Sequence, residues 1–207
     1  MDRERITISI KKNILGYVDK TIDKVNIRNR SHAIEHLIMK GLARTNDKNA
    51  VILLGGKDAM KSLPSAASTL KELQKSGFEK VYIAVGYLAN KIEAKLGDGS
   101  QFGIEIEYLT SEEGSAGALI ALKKIFSSTF FVFENPNGSE PDLEAMLEYH
   151  KQHNAVATIS LDQHGSTGLY IFEPAIFRLI PKGFSMLEED IFPKLSQKGD
   201  IVGYLQF

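Results

Sequence analysis

The stretch Ala50-Val51-Ile52-Leu53-Leu54-Gly55-Gly56 decides the fold. An unbroken apolar run with branched side chains suits a strand buried on both faces. The two glycines end it and let the chain leave tightly. Further apolar runs occupy residues 81–85, 104–108, 130–133, 155–161 and 169–172. Helical spacing fills 66–75, 89–96, 116–125 and 143–150. Strands alternating with helices predict an α/β domain over residues 49–207, its mostly parallel sheet covered on both faces. Such a sheet takes its ligand beyond the carboxyl ends of its strands, which is where Gly55 and Gly56 fall.

Upstream, Thr45-Asn46-Asp47-Lys48-Asn49 reads as a polar linker, and residues 1–46 as a separate head. Arg5-Ile6-Thr7-Ile8-Ser9-Ile10 alternates with the period of a half-buried strand. Ile14, Leu15, Val18, Ile22 and Val25 then make one helical stripe, and Ala33, Ile34, Leu37, Ile38 and Leu42 a second. Asn29 or Ser31 is placed to cap the second helix. One strand and two short helices bury too little surface to stand alone, and both strand edges are unpaired. Pairing with another copy solves both problems, so a homodimer or higher homo-oligomer is expected.

Charge separates the two parts. Residues 1–48 hold 11 Lys+Arg against 6 Asp+Glu, and the remainder holds 14 against 20. A basic head on an acidic body suits contact with a polyanion through the head. The chain has no cysteine, so disulfides and thiolate chemistry are excluded. No run approaches the ~20 apolar residues of a membrane span. These features suit a cytoplasmic protein without membrane contact.

The head resembles the ribbon-helix-helix family, through the strand at 5–10 and the helix start Asn29-Arg30-Ser31-His32-Ala33-Ile34. The resemblance implies a two-stranded ribbon that presents Arg5, Thr7 and Ser9 to the major groove of double-stranded DNA. It also implies a phosphate at the helix start formed by Asn29, Arg30 and Ser31. Lys11, Lys12 and Arg28 would add backbone contacts.

The body resembles the sugar-1-phosphate nucleotidyltransferases. The carrying segments are residues 50–57, Ser76-Gly77-Phe78 with the strand after it, and Lys95-Leu96-Gly97-Asp98-Gly99. Further along come 114–119, Gly168-Leu169-Tyr170 and 184–193. The resemblance implies a Rossmann-like fold. It also implies a nucleotide or nucleotide-sugar site at Leu54, Gly55, Gly56, Lys57, Gly114, Ser115, Ala116 and Gly117. The family's catalytic parts do not line up. Its glycine loop carries an arginine, where this chain has Lys57-Asp58-Ala59-Met60. Its Pro-Lys-Pro segment is missing before the helix at Ala66. Its central strand ends in a Gly-Asp that holds magnesium, where this chain has Glu134-Asn135-Pro136. The stretch between Leu161 and Leu169 leaves little room for its sugar-binding insert. Nucleotidyl transfer needs charges that neutralise the triphosphate and the leaving pyrophosphate. On this reading Lys57, Asp58, Lys61 and Glu134 are solvated loop charges, and no catalytic residue is assigned.

His32 with His36, and His150 with His153, have spacings that could clip a metal, but no third ligand converges and none is expected. Glu188-Glu189-Asp190 reads as a negative helix start. Without cofactor or metal, the expectation is a dimeric DNA-binding transcription regulator with an inactive nucleotidyltransferase-like body. The alternatives are a divergent sugar-phosphate nucleotidyltransferase and an antitoxin-like protein-binding module.

Overall fold

A computed structural model describes residues 7–25, 27–46, 48–56, 59–137 and 141–206. The chain divides into two compact units, residues 1–46 and 47–207.

In the first unit, α1 (Lys12–Lys20) and α2 (Arg30–Asn46) are the described elements. The first helix stops short of the apolar stripe that suggested it. The Asp23 carboxylate accepts the amides of Val25 and Ile27 at 2.9 and 2.8 Å, a local turn that competes with another helical one. Asn29 caps α2, its Oδ1 accepting the His32 amide at 2.9 Å. Arg30 grips the carboxylate of Asp19 with Nε at 2.7 Å and a second nitrogen at 2.9 Å, fastening one helix to the other. Val18 and Ala33 are buried, whereas Ile14, Tyr17, Leu37, Ile38 and Met39 are exposed. Residues 7–10 form no strand, against expectation. A strand needs a ladder partner, and a single chain offers this segment none.

The second unit is a seven-stranded sheet between two layers. Its strands are β1 (Asn49–Leu54), β2 (Lys80–Val85), β3 (Glu105–Thr110), β4 (Phe130–Glu134), β5 (Ala157–Asp162), β6 (Gly165–Phe172) and β7 (Ile201–Leu205). Their order is β3-β2-β1-β4-β6-β5-β7, and β6 alone runs antiparallel to its neighbours. Alternate residues of the central strands face opposite layers. Ile52 and Leu54 join a core with Leu70 of α3 (Leu63–Lys75), Ile92 of α4 (Ala89–Leu96) and Met146 of α6 (Leu143–His153). Val51 and Leu53 join another with Leu119 of α5 (Gly114–Leu119) and Leu195 of α7 (Phe192–Lys198). This is why β1 reads as uninterrupted apolar sequence.

The structure departs from the predicted elements in three places. The helix expected over 116–125 is α-helical only to Leu119 and continues as a 3-10 turn to Lys124. β7 and α7 were not anticipated. β7 is an edge strand of mixed burial, with Leu205 exposed, so it lacks the dense apolar signature. β5 and β6 meet in a tight hairpin, Asp162 opposite Gly165, and the His164 amide bonds the Asp162 carboxylate at 2.7 Å. That hairpin occupies the short stretch between Leu161 and Leu169.

Candidate active site

The order in which strands are laid down reverses between the parallel neighbours β1 and β4. From β1 the order runs outward through β2 and β3, and β4 then returns to the other side of β1. An open α/β sheet forms its ligand crevice at this point, because the loops leaving the two strands diverge. Two cavities lie there. The first, of about 300 Å³, is lined by Leu54, Gly55 and Gly56 after β1, Val85 and Gly86 after β2, and Gly114, Ser115 and Ala118 of α5. Phe184 and Met186 border it as well. The second, of about 340 Å³, is lined by Ser166, Gly168 and Tyr170 of β6 and by Glu188 and Glu189. Ser115, Glu134, Asn135 and Met186 belong to both and form a shared wall.

Glu134 is the chemical centre of that wall. It ends β4 opposite Leu53 of β1. Burial pushes its carboxyl above the usual carboxylate range, a hydrogen bond from Ser115 draws it back, and the nearby charge of Glu188 raises it again. The Tyr170 hydroxyl donates to Oε2 at 3.5 Å, and burial keeps that phenol protonated far above neutral pH. The expectation of a solvated loop charge is therefore corrected for Glu134, which is a partly desolvated, hydrogen-bonded carboxyl facing both cavities. Ser115 also accepts the Leu187 amide at 3.0 Å, tying the segment that carries Glu188 and Glu189 to α5. Residues Leu187–Ile191 form a π-helical turn, and Asp190 accepts the Met186 amide at 2.8 Å at its entry. The acidic run therefore splits its roles. Asp190 holds the turn, while Glu188 and Glu189 face the cavity.

Backbone geometry requires glycine at two positions beside the wall. Gly114 has φ +78°, and a Cβ there would lie 2.4 Å from the Ser185 carbonyl oxygen. Gly168 has φ +78°, and a Cβ there would lie 2.5 Å from the Glu134 carbonyl oxygen.

Of the expected ligand residues, Leu54, Gly55, Gly56, Gly114 and Ser115 border the first cavity. Ala116 and Gly117 are buried, and both donate their amides to the Ser185 carbonyl. Lys57 and Asp58 lie outside the described residues, and Lys61 is exposed. Sequence reasoning missed Tyr170, Phe184 and Met186 as cavity residues. Only the resemblance of the segments 168–174 and 184–193 pointed near them.

The expected DNA-contacting residues all belong to the first unit. Arg5 lies outside the described residues. Thr7, Ser9, Lys11, Lys12, Arg28 and Ser31 are exposed, Asn29 is spent as a cap and Arg30 is paired to Asp19. The spacing of His150 and His153 also has another use. His150 is buried, with Nδ1 2.7 Å from Thr158 Oγ1 and Nε2 3.2 Å from Glu173 Oε1. His153 is bonded instead to the Tyr149 carbonyl. Among the described residues, no group of three or more His, Asp or Glu side chains could hold a metal ion unaided. Magnesium in phosphoryl chemistry asks for less, taking one or two carboxylates and completing its shell with phosphate oxygens and water. Glu134, with Glu188 and Glu189 lining the adjoining cavity, fits that smaller requirement.

A sequence model of the nucleotidyl transferase family matches residues 39–166. The chain is 27% identical over 213 residues to a mannose-1-phosphate guanylyltransferase of Mycobacterium tuberculosis, covering 78% of this chain and 59% of that protein. It is 27% identical over 180 residues to a UTP–glucose-1-phosphate uridylyltransferase of Synechocystis, covering 63% and 46%. The chain thus spans about half the length of these relatives. Among solved structures, HddC from Yersinia pseudotuberculosis complexed with GMP-PN superposes with a TM-score of 0.61 at 17% identity, covering 76% of this chain and 90% of that one. These findings overturn the expectation of a DNA-binding transcription regulator with an inactive body. The matched relatives are named as enzymes, and the alternative reading as a transferase fits them better.

Proposed function

The chain belongs to the nucleotidyl transferase family, and from that premise we propose that it joins a nucleoside monophosphate to a sugar 1-phosphate. A phosphate oxygen of the sugar phosphate attacks the α-phosphorus of a nucleoside triphosphate. The bond from that phosphorus to the bridging oxygen breaks, and pyrophosphate leaves with the electron pair. The observation that carries the reading is the shared wall. Two cavities, one beside the glycines after β1 and one against β6, meet at Glu134 and Ser115. Two substrates bound side by side would place their reacting phosphates against that wall, and such positioning supplies much of the barrier reduction in phosphoryl chemistry.

The nucleotide takes the cavity of Leu54, Gly55 and Gly56, where bare backbone lets phosphates approach closely. Lys57, next in sequence, is the cation assigned to those phosphates. Glu134 is the carboxylate that would hold magnesium, and the bound ion would neutralise charge on the phosphates. Tyr170 and Ser115 orient Glu134. The test is incubation of the full chain with nucleoside triphosphates, sugar 1-phosphates and magnesium, following pyrophosphate and nucleotide-sugar formation. Turnover that disappears in Glu134→Gln supports the reading. Absence of turnover across the common nucleotides and hexose 1-phosphates overturns it.

The head favours a second proposal. Ile14, Tyr17, Leu37, Ile38 and Met39 are exposed on its two helices. A large exposed apolar set on a small unit marks a contact surface. We propose that residues 1–46 pair with a second copy in the manner of a ribbon-helix-helix module. Sedimentation of the full chain should give a dimer that Leu37→Glu with Ile14→Glu makes monomeric, and a monomeric parent would sink the idea.

A further inference from the structure

Phe184 stands out among the residues around the first cavity. It is 71% exposed, an unusual state for a large apolar ring, yet it borders a concave site. Its position is fixed by the backbone on one side. The Ser185 amide donates to the Glu113 carbonyl at 2.8 Å, and the Ser185 carbonyl receives the amides of Ala116 and Gly117 at 3.0 and 3.2 Å. On the other side Gly183 turns the chain with φ +86°, and its carbonyl oxygen lies 3.1 Å from the Cβ position of Gly117. The ring is thus carried next to a pinned residue, beside a cavity whose lining includes Leu54, Val85 and Ala118. Exposing such a ring to water is unfavourable unless something covers it.

We propose that Phe184 is the ring on which the nucleobase stacks, a positioning residue for the nucleotide. This rests on the transferase reading above, which places the nucleotide in that cavity. A planar base between the glycine-edged strand ends and Phe184 would be held by a contact that any base can make. Base-on-aromatic stacking shifts affinity by roughly 5- to 150-fold on truncation to alanine. The ring touches the base and not the reacting phosphorus, so its loss should raise KM and leave kcat near the parent value.

The chain has no tryptophan, so Phe184→Trp installs a single reporter. Titrating the full-length variant with GTP or UTP and magnesium should quench its emission. By calorimetry, Phe184→Ala and Phe184→Leu should bind these nucleotides roughly 5- to 150-fold more weakly, and Phe184→Tyr should bind like the parent. Parent-like binding by Phe184→Leu would mean that apolar cover suffices and would overturn stacking. Parent-like binding by Phe184→Ala, or unchanged emission on saturation, would overturn the proposal while leaving the transferase reading intact. Failure of the unsubstituted chain to bind any of the common nucleoside triphosphates would overturn both.

Discussion

The imidazole Nε2 of His150 stands 3.2 Å from Oε1 of Glu173, and the Thr129 hydroxyl donates to that same oxygen at 2.7 Å. His150 is buried and Glu173 half-buried, and the three side chains tie α6 to the start of β4 and the end of β6, at the strand ends away from the cavities. The His150 hydrogen bond, outweighing desolvation, holds the Glu173 carboxyl below its usual range.

This predicts an acid-sensitive anchor. Because the folded-state value lies below the unfolded one, the contribution is complete above about 4.5, the ordinary glutamate value, and is lost as pH falls through the lower folded value. His150→Phe should cost about 1–3 kcal/mol at pH 7 by leaving Thr158 and Glu173 short of a partner. Urea unfolding at pH 7 and below pH 4 should show the gap between parent and variant narrowing in acid. A gap that widens in acid would rule out Glu173 as the responsible group.

Glu134→Gln should keep the fold but lower turnover by about 10²-fold or more, in the range reported for losing one preorganised charge-stabilising group. Pyrophosphate release measured beside calorimetric nucleotide binding separates turnover from binding. Equal turnover in parent and variant would remove Glu134 from the chemistry.

Ser115→Ala strips the acceptor from the buried Leu187 amide and a donor from Glu134. The expected cost is about 1–3 kcal/mol in stability together with a fall in kcat. Denaturant midpoints and initial rates on the same preparation test both. Unchanged rates would show that the shared wall keeps its geometry without this hydroxyl.

Gly114→Ala should destabilise the fold through its Ser185 clash and its positive φ, by about 1–3 kcal/mol. Gly55→Ala, with no atom within 4 Å of the new carbon, should leave stability near the parent and report only on nucleotide access. Thermal melts of the two variants should therefore diverge, and coincident melts would contradict the packing described at Gly114.

The sheet was legible because β1, β2 and β4 are buried on both faces and read as solid apolar runs. The cavity glycines were legible because they end one of those runs. Glu134 was visible but misjudged, since sequence position gives no measure of desolvation. Tyr170 hid inside the apolar run of β6, where Leu169 through Phe172 are all buried and alternate between the two cores. Phe184 had no local pattern around it, and only the path of the chain from Gly183 to Ser185 brings it to the first cavity. The ribbon predicted at the N-terminus depends on a second molecule for its ladder, so one chain does not display it.

Because β6 alone runs against its neighbours, its first residues stand at the cavity rim and its last reach the opposite margin. Gly168 backs onto Glu134 at one end, and Glu173 follows the strand at the other, beside His150. A slip of this one strand would dislodge the Glu134 wall and the acid-sensitive anchor together. Substitutions distant from either cavity that loosen β6 should therefore surface as losses of activity before any global unfolding is seen.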